Sequence, residues 1–202
     1  ATIGPHEARQ LQADVEAAGG EFLECTVLGS IPEAKSGSLI LMVGATPAQF
    51  DAAGPLLAAF GANPQHIGEV GKASALKLAM NQLIAGLTTS FALSLGLVQR
   101  EGLDVEQFMD VLRDSALYAP TFDKKLDRML DGNYANPNFP VEHLLKDVNL
   151  MEDAARKDGL DSSLMVTIAR LLEQAEGQDL AQGDYSALFE AIAPGREGGG
   201  EN

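Results

Sequence analysis

The chain has 202 residues, 46% hydrophobic and 21% charged, the balance of an ordinary globular protein with room for a sizeable core. With 29 Asp and Glu against 14 Lys and Arg, its formal charge of −15 argues against nucleic acid and anionic membrane surfaces, both of which need clustered basic residues. A single cysteine, Cys25, cannot close an internal disulfide, and no basic region precedes an apolar run at the N-terminus; the expected compartment is a reducing one, the cytoplasm.

In chain order, Ala1-Thr2-Ile3-Gly4-Pro5 reads as the end of a strand turning into a helix, with Pro5 in the first turn. Ala8, Leu11, Val15 and Ala18 then recur at helical spacing until Gly19-Gly20 stops the helix. Residues 22–27 read as a strand, with Cys25 as a packed strand residue, 28–37 as a loop, and 38–43 as a second strand whose unbroken apolar run predicts burial on both faces. Thr46-Pro47 opens a helix to about residue 60, which Pro55 should kink or shorten, and a short strand follows at 66–70.

The stretch 71–102 predicts one long central helix of about 40 Å. Its apolar residues (among them Leu76, Leu83, Leu87, Phe91, Leu93 and Leu97) cover nearly every azimuth, which predicts burial on all sides. Asn81, Gln82, Thr88, Thr89, Ser90 and Ser94 lie inside this run and argue against a membrane span. Beyond Gly102 the chain reads as helical. A capping box at 104–107 starts a helix turning Val105, Phe108, Val111 and Leu112 inward, and further helices are expected at 118–130, from 141, at 162–176 and at 185–192. The glycine-rich tail, 195–202, is expected to be disordered.

The chemistry-bearing residues are few. Lys77 and Asn81 are four apart, so a helix projects the ammonium and the amide from one face. On spacing alone this is also the pattern of a buried core helix whose lysine snorkels from its end. A turn at Gly29-Ser30 can aim successive N–H groups at an anion, or Gly29 can simply meet a turn requirement. By periodicity Lys146 lies on the polar face of its helix with Glu142 and Asn149. His6, His66 and His143 share no metal-ligand spacing and read as surface or loop residues; no metal is expected. A serine-hydrolase elbow and a P-loop are both missing.

Gly71, Ala73, Lys77 and Asn81 resemble the Gly-x-Gly-x-x-x-Lys-x-x-x-Asn motif of the β-hydroxyacid dehydrogenase family (3-hydroxyisobutyrate dehydrogenase-like), with alanine for the second glycine. Three further stretches carry the resemblance. Thr2-Ile3-Gly4-Pro5 is similar to the family's turn beside the nicotinamide, and Glu24 to Ser30 to its substrate loop. Phe139 with Lys146-Asp147 is similar to its second signature. The resemblance implies the C-terminal part of a Rossmann-type α/β domain over 1–70, then an all-helical domain over 71–194 built on the long helix. It implies an NAD- or NADP-dependent oxidoreductase interconverting a β-hydroxyacid and its semialdehyde. Lys77 would be the general acid/base with Asn81 beside it, Gly29, Ser30 and Leu28 would meet the substrate, and Thr2, Lys146 and Asp147 the cofactor. Such a lysine, ordinarily titrating near 10.4, would need burial or Lys146 nearby to bring it toward neutrality.

Two departures matter. Leu28 stands where the family has serine, which points to a larger or more apolar substrate than a small hydroxyacid. The family's Gly-x-Gly-x-x-Gly occurs nowhere in the 202 residues, so the resemblance implies that the first half of the cofactor domain is missing from this stretch, along with the residues that choose between NAD and NADP. Two other readings are an imine reductase, a branch that usually replaces the lysine, and a non-catalytic helical oligomerisation module. A homodimer or higher homo-oligomer is expected on either view, with a small carboxylic acid or aldehyde as the partner of the enzyme.

Overall fold

The computed structural model describes residues 2–195; Ala1 and, apart from Gly195, the expected tail lie outside them. The chain forms two compact units. One holds the residues up to Asn81 with Leu150–Ser162, the other Gln82–Asn149 with the residues from Ser163.

In the first unit, α1 (Pro5–Ala17) is followed by β1 (Glu24–Leu28), α2 (Ile31–Ser36), β2 (Ile40–Gly44), α3 (Pro47–Leu57), β3 (Gln65–Gly68) and the start of α4 (Lys72–Arg100). The sheet is mixed, in the order β1-β2-β3. β1 runs antiparallel to β2 with Glu24 opposite Gly44 and Leu28 opposite Ile40, and β2 runs parallel to β3. The central strand is the one with the unbroken apolar run. Leu41, Val43 and Ala45 pack with Leu57 of α3, flanked by Leu23, Leu39, Phe50 and Ala53. Met42, pointing the other way, is buried as well. Thr46 caps α3 as expected, its hydroxyl accepting from the Gln49 N–H, and the helix holding Pro55 ends at Leu57.

Two expectations for this unit are corrected, and one local detail is added. The predicted loop after β1 contains the helix α2, started by Ser30 and ended by Gly37 in the left-handed region. The N-cap of α1 is Gly4, whose N–H donates to Glu7. Cys25 is exposed, because β1 turns Glu24 and Thr26 to the buried face instead.

The second unit contains the rest of α4, then α5 (Val105–Arg113), α6 (Pro120–Asp131), α7 (Val141–Lys157, to Asn149), α8 (Ser163–Glu176), a 3-10 turn at Tyr185–Ala187 and α9 (Leu188–Ile192). Phe91 of α4 stacks on Phe122 of α6 at 4.8 Å, and Leu95, Met109, Met129, Leu144, Ile168, Leu172, Leu188 and Phe189 are fully buried. Gly96 lets the end of α9 approach closely, since a Cβ there would lie 3.1 Å from the Ala193 Cβ. Asp104 caps α5 through the Gln107 N–H, but Met109 takes the inward place and Val111 is 68% exposed, about half a turn away.

The long helix is not covered on all sides. Leu83, Leu87, Leu93 and Leu97 are 50%, 37%, 65% and 62% exposed. By length and composition α4 could cross a membrane, and 44% of its most apolar window is buried here. The core helix of a globular domain meets the same criteria, and in α4 Asn81 and Thr88 are buried beside Ala85, Phe91 and Leu95.

Candidate active site at the start of the long helix

The site is built on the junction between β1 and the first turns of α4. Glu24 and Thr26 share one face of β1, as the two-residue period requires. The Glu24 carboxylate, 5% exposed, accepts from the Gly71 N–H at 2.8 Å, the Ser74 N–H at 2.9 Å and the Ser74 hydroxyl. These are N–H groups that the first turn of a helix leaves without partners, and the carboxylate sits at the positive end of the helix dipole. Thr26 adds a hydroxyl bond to the Ala73 carbonyl at 3.2 Å. A long-range carboxylate, 47 and 50 residues away in sequence, thus performs the capping of α4.

The glycine and alanine of the motif are explained by this junction. Gly71 has φ +93, and a Cβ there would run into the Arg9 side chain and lie 3.0 Å from the Pro5 carbonyl. Ala73 is fully buried. Gly44, opposite Glu24, leaves the room in which the carboxylate lies, since a Cβ on it would overlap the Glu24 Oε2. Nothing in the local pattern identified Glu24, Gly44 or Ser74; an acidic residue inside an apolar strand was the only available signal.

With α4 anchored, Lys77 follows Ala73 by one turn and Asn81 by two, on one helix face. Lys77 is half-buried and Asn81 is 3% exposed. Leu28 ends β1 on the same face as Glu24 and Thr26, hence on the side turned to α4. Gly29 has φ +132, the left-handed region that favours glycine. Ser30 is committed to its own helix: its N–H and its hydroxyl both donate to Glu33 Oε2, at 2.7 and 2.8 Å.

Thr2 is half-buried just ahead of α1. Lys146 and Asp147 belong to the second unit. Lys146, half-exposed on α7, forms an ion pair with the buried Asp147 at 3.0 Å. The diphosphate-binding glycine turn is not among these 202 residues. Chemically, the set offers an ammonium and an amide for a developing alkoxide and a turn for the far end of a substrate.

Comparison with known proteins identifies the family. Residues 71–192 match the family model described as NAD-binding of NADP-dependent 3-hydroxyisobutyrate dehydrogenase, and residues 1–68 the model described as the NAD binding domain of 6-phosphogluconate dehydrogenase. The chain is 29% identical over 182 residues to the chloroplastic glyoxylate/succinic semialdehyde reductase 2 of Arabidopsis thaliana, covering 90% of this chain and 51% of that protein. It is 28% identical over 200 residues to the mitochondrial 3-hydroxyisobutyrate dehydrogenase of Rattus norvegicus, covering 95% of this chain and 59% of that protein. The crystal structure of 3-hydroxyisobutyrate dehydrogenase from Salmonella typhimurium superposes with a TM-score of 0.81 at 25% identity, over 94% of this chain and 66% of that one. The chain thus spans roughly half to two thirds of the length of these proteins.

Proposed function

The chain belongs to the β-hydroxyacid dehydrogenase family, whose cofactor class is NAD or NADP, and from that membership we propose that it carries the acid/base half of an oxidoreductase interconverting a β-hydroxyacid and its semialdehyde. The observation that carries the reading is the anchored start of α4, which holds Lys77 and Asn81 on one face one and two turns beyond a buried carboxylate cap. The nicotinamide supplies the hydride when bound. In reduction the Lys77 ammonium hydrogen-bonds the carbonyl oxygen, stabilises the growing negative charge and delivers the proton that makes the hydroxyl. In oxidation the neutral amine takes that proton back. The Asn81 amide, one turn on, orients the same oxygen. Thr2 and Lys146, with Asp147 behind it, are proposed to hold the cofactor, and Leu28, Gly29 and Ser30 to bound the substrate.

In the complete protein, Lys77→Met is expected to lower kcat/KM for semialdehyde reduction by about a hundredfold, the scale of a lost general acid/base. Unchanged turnover in steady-state assays, with cofactor binding intact, would remove Lys77 from this role.

A homodimer through the second unit is also proposed. The exposed leucines 83, 87, 93 and 97 lie on one face of α4, with the exposed Ser90 and Ser94 among them, and a second copy of the same helix can cover that face. Sedimentation equilibrium is expected to show a dimer for the chain and a monomer for Leu83→Glu/Leu97→Glu. A variant that stays dimeric would place the interface elsewhere.

A further inference from the structure

We infer that Thr26 is a positioning residue for Lys77: its hydroxyl fixes the roll of α4 about its own axis, and with it the place of the ammonium. The inference rests on the proposed function and adds a residue to it.

In the helical ladder each N–H bonds the carbonyl four residues back, so the Lys77 N–H ends on the Ala73 oxygen. The Thr26 hydroxyl reaches that same oxygen at 3.2 Å, against 3.5 Å to the Met42 carbonyl, and with one proton to give it serves the nearer. β1 is thus joined directly to the turn that Lys77 closes. Glu24 holds Ser74, the next residue, through its N–H and hydroxyl. With 3.6 residues per turn, Ala73, Lys77, Asn81 and Ser74 follow one another around about 100° of the helix circumference, so the two anchored residues bracket the two of the motif. Ala73, Ser74 and Asn81 are all buried, which makes this the inward face.

The two anchors restrain different motions. N–H groups of a first turn point along the helix axis, so the Glu24 carboxylate acts near a pivot. The Ala73 carbonyl is already engaged along the axis, and Thr26 meets it from the flank, where a bond resists roll. A side-chain head lies roughly 5–6 Å from the axis, so 10° of roll carries it about 1 Å, a misplacement on the scale that costs about a hundredfold in turnover.

Two substitutions separate this role from a structural one. Thr26→Val keeps the shape and strands no acceptor, since the Ala73 carbonyl retains the Lys77 N–H. Thr26→Ser keeps the hydroxyl and removes a buried methyl, which lowers stability. Turnover and stability are therefore expected to move in opposite orders. The complete protein is assayed with succinic semialdehyde and either NADH or NADPH, beside urea denaturation. Thr26→Val is expected to lower kcat by about tenfold with KM unchanged and the urea midpoint near that of the parent, whereas Thr26→Ser keeps kcat within about twofold at a lower midpoint. An unchanged kcat in Thr26→Val, a rise in KM in its place, or an equal loss in Thr26→Ser overturns the inference. Turnover that survives Lys77→Met, or a parent that reduces nothing, counts against the proposed function instead, and hydrogen exchange of the Lys77 amide in this chain then decides the inference by itself. Exchange about tenfold faster in Thr26→Val, with Thr26→Ser matching the parent, upholds it. Any other order overturns it.

Discussion

Replacing Glu24 with alanine is expected to lower the unfolding free energy by about 3 kcal/mol or more, read from urea denaturation of the chain, because two helix N–H groups and a hydroxyl lose a buried acceptor together. Hydrogen bonds to a charged group are the stronger kind, and donors left buried without partners carry a desolvation cost. Glu24→Gln is expected to fall between the two, since its carbonyl accepts but its amide group confronts a second donor. Gly44→Ala should act through the same group, because its Cβ takes the space of the Glu24 carboxylate. A double-mutant cycle is the sharp test: Gly44→Ala should cost clearly less in the Glu24→Ala background than alone. Strict additivity would show that Gly44 and Glu24 are independent and that the cap is not what Gly44 protects. The same variants should alter turnover through the placement of Lys77, one turn beyond Ala73.

Asp184→Ala is expected to cost about 3–5 kcal/mol, the scale for stranding a buried partner charge. Lys125 donates to both Asp184 oxygens at 2.8 Å, and its ammonium lies 4.2 Å from the centre of the Tyr185 ring. Asp184 is 1% exposed and also accepts from the Ser186 N–H and hydroxyl, fixing the 3-10 turn that leads into α9. Burial pushes the Lys125 ammonium below its usual range, and the pull of Asp184 in the opposite direction does not fully offset it. The ion pair therefore offsets the cost of desolvation more than it adds stability of its own. This leads to a distinct expectation for Lys125→Met/Asp184→Leu, which should be far closer to the parent in stability than Asp184→Ala. If the double variant is as unstable as the single one, the hydrogen bonds to Ser186 dominate and the charge pair is secondary.

The contrast between these two sites and the motif residues shows what kind of information a sequence holds. α4 was legible because its signals are local: a run without charge from Leu78 to Gln99, inside a stretch bounded by Gly71 and Gly102, with Lys77 and Asn81 at a spacing that only a helix makes meaningful. The Thr46 and Asp104 caps were legible for the same reason, their partners being three residues away. The burial of the central strand from Leu41 to Gly44 followed from the apolar run in β2, whereas the mixed pairing of the sheet did not. The family motif, a set of residue types at fixed spacing, was equally a property of the sequence alone.

Other features depended on tertiary structure. The apolar residues Cys25 and Val27 alternate with Glu24 and Thr26 in β1, a pattern that by itself sends the apolar pair inward. The fold does the reverse, because the buried start of α4 needs polar partners: the Glu24 carboxylate accepts from its N–H groups and the Thr26 hydroxyl donates to the Ala73 carbonyl. Likewise Asp184 finds Lys125 across 59 residues, and the Ser30 donors are committed to Glu33 only because a six-residue helix forms where the chain read as a loop. Pattern and propensity report interactions over a few residues. Which buried donor meets which distant acceptor is decided when the elements pack, since leaving either one unpaired costs more than any local preference can return.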